Sequence, residues 1–148
     1  MKFKKFLVYL LFLLPWFISG IIFKSDKAYY LSLDLPFFAP PPILFGIIWP
    51  ILYVLIAYSV YKTWNGSSSN YKIYLIINYI SNQLYTWAFF ILKNNFLALV
   101  DTIIVLISSL YLYVETKKLN KDKAKYLIPY IIWNIFALIL VFTIFITN

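Results

Sequence analysis

Residues 35–61 read LPFFAPPPILFGIIWPILYVLIAYSVY, and this stretch decides how the rest of the chain is organised. The prolines at 40–42 cannot continue a helix from upstream, but proline is well tolerated in the first turn of a helix that follows. The stretch therefore predicts a stiff connector that leads into a long apolar helix. Gly46, Trp49 and Tyr53 are spaced so that they share one face of that helix. We interpret this face as one wall of a pocket.

The composition predicts a membrane protein. Of the 148 residues, 64% are hydrophobic and 12% are charged, whereas a soluble domain is about 45–50% apolar and about 25% charged. Five apolar runs approach the length of about 20 residues that crosses a bilayer, and each must be helical because lipid offers no hydrogen-bond partner to the backbone. The predicted fold class is thus an all-α membrane protein, a five-transmembrane-helix bundle that forms a single domain over residues 1–148. The predicted helices span residues 6–23, 43–63, 72–92, 96–114 and 126–147, with a ligand-covering loop at 24–42.

The placement of lysine predicts the orientation of the chain. All thirteen basic residues are lysines, and the net charge is +8. Ten of them lie near the N-terminus and in the connections at 62–72 and 115–125, while Lys24, Lys27 and Lys93 lie at the opposite ends of the runs. Because cytoplasmic loops are enriched in lysine, the N-terminus is predicted to be cytoplasmic, with the C-terminus and the proline-rich loop outside. Lysines that flank apolar runs indicate the lipid bilayer as a partner and argue against nucleic acid.

Several kinds of site are excluded or disfavoured. The chain has no cysteine and no histidine, so disulfides and thiolate or imidazole metal ligands are impossible, and we predict no metal site and no required cofactor. Asp101 is the one acid inside a predicted span, where a charge at the bilayer centre costs about 2.5–3.5 kcal/mol on insertion scales. A single acid without histidine or glutamate partners makes a poor proton relay, so a structural role is favoured over that alternative.

Polar side chains concentrate in the third apolar run. Asn78, Asn82, Tyr85 and Phe89 fall on one helical face, which cannot comfortably contact lipid. Asparagine and glutamine bond across membrane helices for about 0.6–2 kcal/mol each, so this face either joins helices or lines a pocket, and both roles stay open. The fifth run repeats the pattern with Tyr130, Trp133, Asn134 and Ala137.

Taken together, these motifs resemble the TspO/MBR family of tryptophan-rich sensory proteins, which includes the translocator protein or peripheral benzodiazepine receptor of animals, and they resemble its bacterial type. The resemblance covers nearly the whole chain. The matching segments are Pro36-Phe37-Phe38-Ala39-Pro40-Pro41, Phe45-Gly46 with Trp49 and Tyr53, Asn82 with Tyr85, Phe89 and Phe90, Ala98-Leu99-Val100-Asp101, and Pro129-Tyr130 with Trp133, Phe136 and Ala137.

The resemblance implies an integral membrane receptor or sensor that binds porphyrins, such as protoporphyrin IX, and benzodiazepine-site ligands in a pocket under the first loop. Its role would be tetrapyrrole sensing, transport or clearance. The resemblance also implies a homodimer in the bacterial cell membrane, with porphyrin as a ligand and not as a required cofactor. The ligand-binding positions that it implies are Tyr30, Trp49, Asn82, Tyr85, Phe89, Trp133 and Ala137.

Two alternative functions stay open. The first is enzymatic: some bacterial members of the family are reported to degrade porphyrin under light, and Trp49 and Trp133 would then be the catalytic residues. No acid–base or metal constellation supports ordinary catalysis. The second is a small transporter of hydrophobic molecules. The scarcity of charged residues along the predicted spans argues against ion transport.

Overall fold

A computed structural model describes residues 2–148, and within this range the chain is helical with short connections and no strand. The helices are α1 (Lys2–Leu13), α2 (Ile18–Ile22), α3 (Lys27–Ser32), α4 (Pro42–Thr63), α5 (Ser69–Thr86), α6 (Asn95–Leu119), α7 (Lys121–Ala124) and α8 (Ile128–Thr147). A 3-10 turn at Leu14–Phe17 joins α1 to α2, and a π-helical turn at Trp87–Ile91 extends α5. The predicted all-α class is confirmed.

Four helical segments are long and apolar enough to cross a bilayer: Lys2–Ile22, Pro42–Gly66, Asn95–Leu119 and Lys121–Thr147. Their length and composition confirm the membrane class of the protein. The segment formed by α5 and its π turn is not in this set. It carries Asn78, Ser81 and Asn82, all of which are buried inside the bundle. The count of five spans and the orientation of the termini therefore remain predictions.

The local sequence explains where α4 begins and where its backbone hydrogen bonding is interrupted. It begins at Pro42, whose missing N–H group would have no intrahelical partner in the first turn anyway. The helix then continues through Pro50, which has no N–H group to donate to the carbonyl of Gly46. Gly46 and Pro50 both line the larger cavity described below.

The interior of the bundle has two apolar cores at opposite ends. The lysine-rich half is centred on the buried side chains of Trp16, Leu52, Ile56, Ala57, Val60, Tyr71, Val105, Leu112, Leu127 and Tyr130. The lid half is centred on those of Tyr30, Phe89, Ala98, Leu99, Leu140, Val141 and Ile144. We call residues 24–41, which include α3, the lid. Tyr30 of the lid is buried, and Leu33, Leu35 and Phe38 pack partly buried against this second core.

A hydrogen-bonded network joins three helices between the two cores. The Asn78 side-chain amide of α5 donates to the Val105 carbonyl (3.1 Å) and to the Ser108 hydroxyl (2.9 Å) of α6. Its amide oxygen accepts from the Tyr130 hydroxyl of α8 (3.0 Å), which in turn accepts from the Asn82 amide (3.2 Å). Because Asn78 is fully buried and lines neither cavity, its role is to join helices.

The same network continues to the first helical segment. The Asn82 oxygen accepts from the Tyr53 hydroxyl of α4 (3.2 Å). The neighbouring Gln83 donates to the Trp16 carbonyl (3.2 Å), and its oxygen accepts from the Ser19 backbone N–H (2.8 Å). The polar face of α5 is thus bonded to every other long segment of the bundle.

Candidate ligand-binding site

The larger cavity occupies about 340 Å³ beneath the lid, at the border between the two cores. This volume falls within the range of about 300–1,000 Å³ that is common for small-molecule sites. Its lining reaches from the buried Asn82 to the exposed residues Gly20, Ser25, Lys27, Ile43 and Gly46. We call the part at Ser25 and Lys27, beside the lid, the mouth. The lining residues are Trp16, Phe17, Ser19, Gly20, Phe23, Ser25, Lys27, Tyr30, Pro42, Ile43, Phe45, Gly46, Trp49, Pro50, Tyr53, Asn82, Tyr85, Thr86, Phe89, Phe90, Leu140 and Ile144.

Aromatic rings form the walls of the larger cavity. On one side Tyr53 lies between two indoles, with ring centroids 5.7 Å from Trp16 and 5.6 Å from Trp49. On the other side Tyr85 and Phe89 are stacked, with centroids 5.6 Å apart and planes that differ by 10°. Such walls suit a flat apolar ligand, since an offset aromatic contact contributes about 0.5–1.5 kcal/mol beyond the area that it buries.

A smaller cavity of about 50 Å³ lies beside the larger one. The two cavities share the lining residues Phe45, Trp49, Asn82, Tyr85 and Leu140. The smaller cavity is otherwise lined by Thr102, Val105, Trp133, Asn134, Ala137 and Val141. It is therefore a side chamber of the same site, between α4, α5, α6 and α8.

The indole of Trp133 has an unsatisfied donor at this side chamber. Its Nε1 atom is buried and has no hydrogen-bond partner among the described residues. The ring is fixed by edge contacts with Phe45 (centroids 5.9 Å apart) and Trp49 (6.4 Å), and by a tilted contact with Phe136 (5.2 Å). A buried N–H group without a partner costs about 1–3 kcal/mol, and an acceptor atom of a ligand or a water molecule would recover this.

The predicted ligand positions fall into two groups. Tyr30, Trp49, Asn82, Tyr85 and Phe89 line the larger cavity. Trp133 and Ala137 line only the side chamber, where Trp49, Asn82 and Tyr85 also take part. The structure therefore brings all seven positions to one two-chambered site, and ligand binding by them stays a prediction.

The contribution of the first helical segment to the site was not predicted. Trp16, Gly20 and Phe23 line the larger cavity together with Phe17 and Ser19. The spacing of Trp16, Gly20 and Phe23 by four and three residues was visible in the sequence, as it was for Gly46, Trp49 and Tyr53. What the spacing could not reveal is that the first segment packs beside α4 and leaves a gap there.

Polar contacts anchor the lid to the connection between α5 and α6. Asp26 accepts from the backbone N–H of Tyr29 (2.9 Å) and pairs with the Lys93 ammonium (3.3 Å). The hydrogen bond from Tyr29, followed by that from Lys93, holds the pKa of Asp26 below its ordinary value. Tyr29 extends the same anchor, since its hydroxyl donates to the Asn95 side chain (3.2 Å). Lys93 has a φ of 50°, so the helical segment before it ends in the left-handed conformation.

A second anchor connects the lid to the end of α8. The backbone N–H of Asp34 donates to the Asn148 side chain (2.9 Å), and its carbonyl accepts from the Thr147 hydroxyl (3.1 Å). Inside the lid, the Tyr30 hydroxyl donates to the Pro40 carbonyl (2.9 Å). The lid is thus fixed at two points above the cavity, and its Tyr30 side chain is buried against the cavity.

Asp101 lies outside both cavities. Its side chain is buried in α6, and its Oδ2 atom has no hydrogen-bond partner among residues 2–148. Within residues 2–148 no cluster of three His, Cys, Asp or Glu side chains accompanies it. The role of Asp101 stays a prediction.

Comparisons with known proteins identify related chains over the whole length of the bundle. The sequence pattern of the TspO/MBR family matches residues 7–146. The tryptophan-rich protein TspO of Bacillus cereus is 35% identical over 151 aligned positions, which cover 100% of this chain and 99% of that protein. An uncharacterized membrane protein of Bacillus subtilis, YtaB, is 35% identical over 85% of this chain and 84% of its own. The TspO protein of Archaeoglobus fulgidus is 34% identical over 84% of this chain and 83% of its own.

Proposed function

This chain belongs to the TspO/MBR family of membrane proteins, and we propose that it is a receptor that binds flat hydrophobic ligands of the tetrapyrrole type, with protoporphyrin IX as the test ligand. Its relatives in Bacillus support a bacterial membrane as its location. The observation that carries the proposal is the aromatic cavity of about 340 Å³ beneath the lid. Tetrapyrrole sensing, transport and clearance are all compatible with such a receptor.

Each part of the cavity matches a part of such a ligand. A macrocycle can pack against the aromatic walls at Trp49, Tyr85 and Phe89, where apolar surface and offset ring contacts both favour binding. The unpaired Trp133 N–H at the side chamber can donate to an acceptor atom at the ligand's edge. Synthetic ligands of the benzodiazepine-site type have the same combination of flat rings and a few acceptors, so they belong to the same proposal.

Filling the cavity tests the proposal. A Cβ atom added at Gly46 meets no other atom within 4 Å, and Gly46 lines the cavity. Gly46→Leu is therefore expected to keep the fold and to weaken protoporphyrin binding at least about tenfold, because the new side chain occupies space that the ligand needs. Binding is measured by the shift of the porphyrin absorption band and by tryptophan quenching, with the protein in nanodiscs of neutral lipid.

Gly66→Leu is the matched control. A Cβ atom added at Gly66 also meets open space, but this residue lies in the turn after α4 and lines neither cavity. The affinity of this variant for protoporphyrin should equal that of the unmodified protein. Equal affinity in Gly46→Leu and Gly66→Leu, or no binding by the unmodified protein at micromolar porphyrin, would refute the proposed site.

Light-dependent breakdown of the bound porphyrin is the second candidate function. It is favoured by the edge contact of Trp133, which lines the side chamber, with Trp49, which lines both chambers; the ring centroids are 6.4 Å apart. Illumination of the complex in the presence of oxygen should then give a discrete product whose yield falls in both Trp49→Phe and Trp133→Phe. Bleaching that is equal in the unmodified protein and in both variants would leave binding as the sole function of the site.

The homodimer implied by the family resemblance also stays a prediction. Its test is the mass of the purified protein in detergent, measured by light scattering with the detergent contribution subtracted. A monomeric mass at micromolar protein would contradict it.

A further inference from the structure

Lys27 is the one charged residue among those that line the larger cavity. It lies at the mouth, in the first position of α3, and its side chain is exposed. The rest of the lining is aromatic, aliphatic or neutral polar. The cavity therefore offers a ligand a largely apolar, uncharged interior and a single cationic group at the mouth.

The Lys27 ammonium has no partner within residues 2–148. It forms no ion pair, no hydrogen bond and no contact with an aromatic face in this range. The ion pairs of the described chain are Lys93 with Asp26 and Lys118 with Glu115. The acid next to Lys27 in sequence, Asp26, is already engaged by Lys93 and by the N–H of Tyr29. The Asp26 carboxylate is thus engaged in anchoring the lid, and the Lys27 ammonium at the mouth has no carboxylate paired with it.

We propose that Lys27 selects ligands that carry a carboxylate or another anionic group on a flat hydrophobic body. This inference rests on the proposed function, because it assigns the polar end of the ligand that the cavity is proposed to bind. The apolar body would enter between the aromatic walls, and the anionic group would stay at the mouth against the Lys27 ammonium. Charge-assisted hydrogen bonds of this kind are stronger than neutral ones, and partial exposure at the mouth moderates their effect.

The test compares protoporphyrin IX with its dimethyl ester, which has the same ring and no carboxylate. The unmodified protein in neutral-lipid nanodiscs is expected to prefer the diacid about three- to tenfold. Lys27→Gln should abolish this preference by weakening the diacid alone. Lys27→Arg, which keeps the charge, should retain it. Comparing the ratio of the two affinities between variants cancels the different partition of the two porphyrins into lipid.

Lys24→Gln is the matched control. Lys24 precedes Lys27 by three positions, is exposed, and lines neither cavity, so its removal changes the net charge equally and should leave the preference intact. Loss of the preference in both variants would mean a long-range charge effect and would overturn the assignment. A preference that survives in Lys27→Gln, or that is absent in the unmodified protein, would also overturn it while porphyrin binding itself stands. Failure of both porphyrins to bind would instead refute the proposed function, and this inference with it.

Discussion

The two halves of the bundle interior are made of similar residues and differ in how far they are filled. In the lysine-rich half, Ile56 and Ala57 are fully buried, and between the two cores the Asn78 amide has all its bonding groups satisfied. On the lid side, a cavity of about 340 Å³ remains at the border of the two cores, and the Trp133 indole N–H has no partner among the described residues. A filled half, together with the hydrogen-bonded network beside it, can hold the fold, which leaves the lid side free to keep a ligand site open.

The largest expected effect is in the hydrogen-bonded network between the two cores. Asn78→Leu removes the acceptor of the Tyr130 hydroxyl and the donor to Ser108, and it should lower the free energy of unfolding by about 2–3 kcal/mol. The measurement is equilibrium unfolding in mixed micelles with increasing dodecyl sulfate. Asn70→Leu, at an exposed position near the start of the same helix, is the control and should change little. A loss of less than about 0.5 kcal/mol at Asn78 would show that the network is dispensable.

A smaller effect should follow from adding volume to each half. Ala57→Leu places three extra carbon atoms at a position that is fully buried, so it should lower the free energy of unfolding by about 1–3 kcal/mol. Gly46→Leu adds a larger group beside the cavity and should leave stability unchanged or slightly raised, since glycine disfavours helix by about 1 kcal/mol relative to alanine. The same unfolding assay compares the two. Equal losses would mean that the two halves are packed alike.

The smallest effect concerns the anchor of the lid. Because the folded-state pKa of Asp26 lies below its ordinary value, the contact contributes stability above the ordinary value of about 3.9, and this contribution is lost as the pH falls through the lowered pKa. Hydrogen exchange of residues 24–41 should therefore be protected at neutral pH and faster, after correction for intrinsic rates, in strong acid. Asp26→Asn should show the faster exchange already at neutral pH. Protection that is independent of pH in the unmodified chain would contradict this account.

Much of the fold could be predicted from composition and spacing. Apolar runs predicted helices, and α4, α6 and α8 lie close to the predicted ranges because a helix in lipid must satisfy its own backbone. The α3 helix inside the lid was not predicted. Its signal is Asp26, which caps the helix by accepting from the Tyr29 N–H, but six residues are too few for a periodic pattern.

The site was predicted less completely than the fold. Helical spacing placed Trp49 with Tyr53, and Asn82 with Tyr85 and Phe89, because residues three or four apart share a face. Spacing within one helix says nothing about which faces meet, so the contribution of Trp16 and Gly20 and the separate chamber at Trp133 were not foreseen. It also could not distinguish Asn78, which joins helices, from Asn82, which both joins helices and lines the cavity.

By itself the sequence determined that this protein belongs in a membrane, that its backbone is helical, and that its lysines gather at one end. These properties depend on transfer free energies and local spacing, which each segment carries alone. Tertiary structure alone decided which half of the interior is filled and that the amide of Asn78 is fully hydrogen-bonded to neighbouring helices. It also decided that the Trp133 indole N–H and the Lys27 ammonium have no partners among the described residues. Those outcomes depend on how the surfaces of separate helices fit, and fit is a property of pairs of surfaces that no single segment encodes.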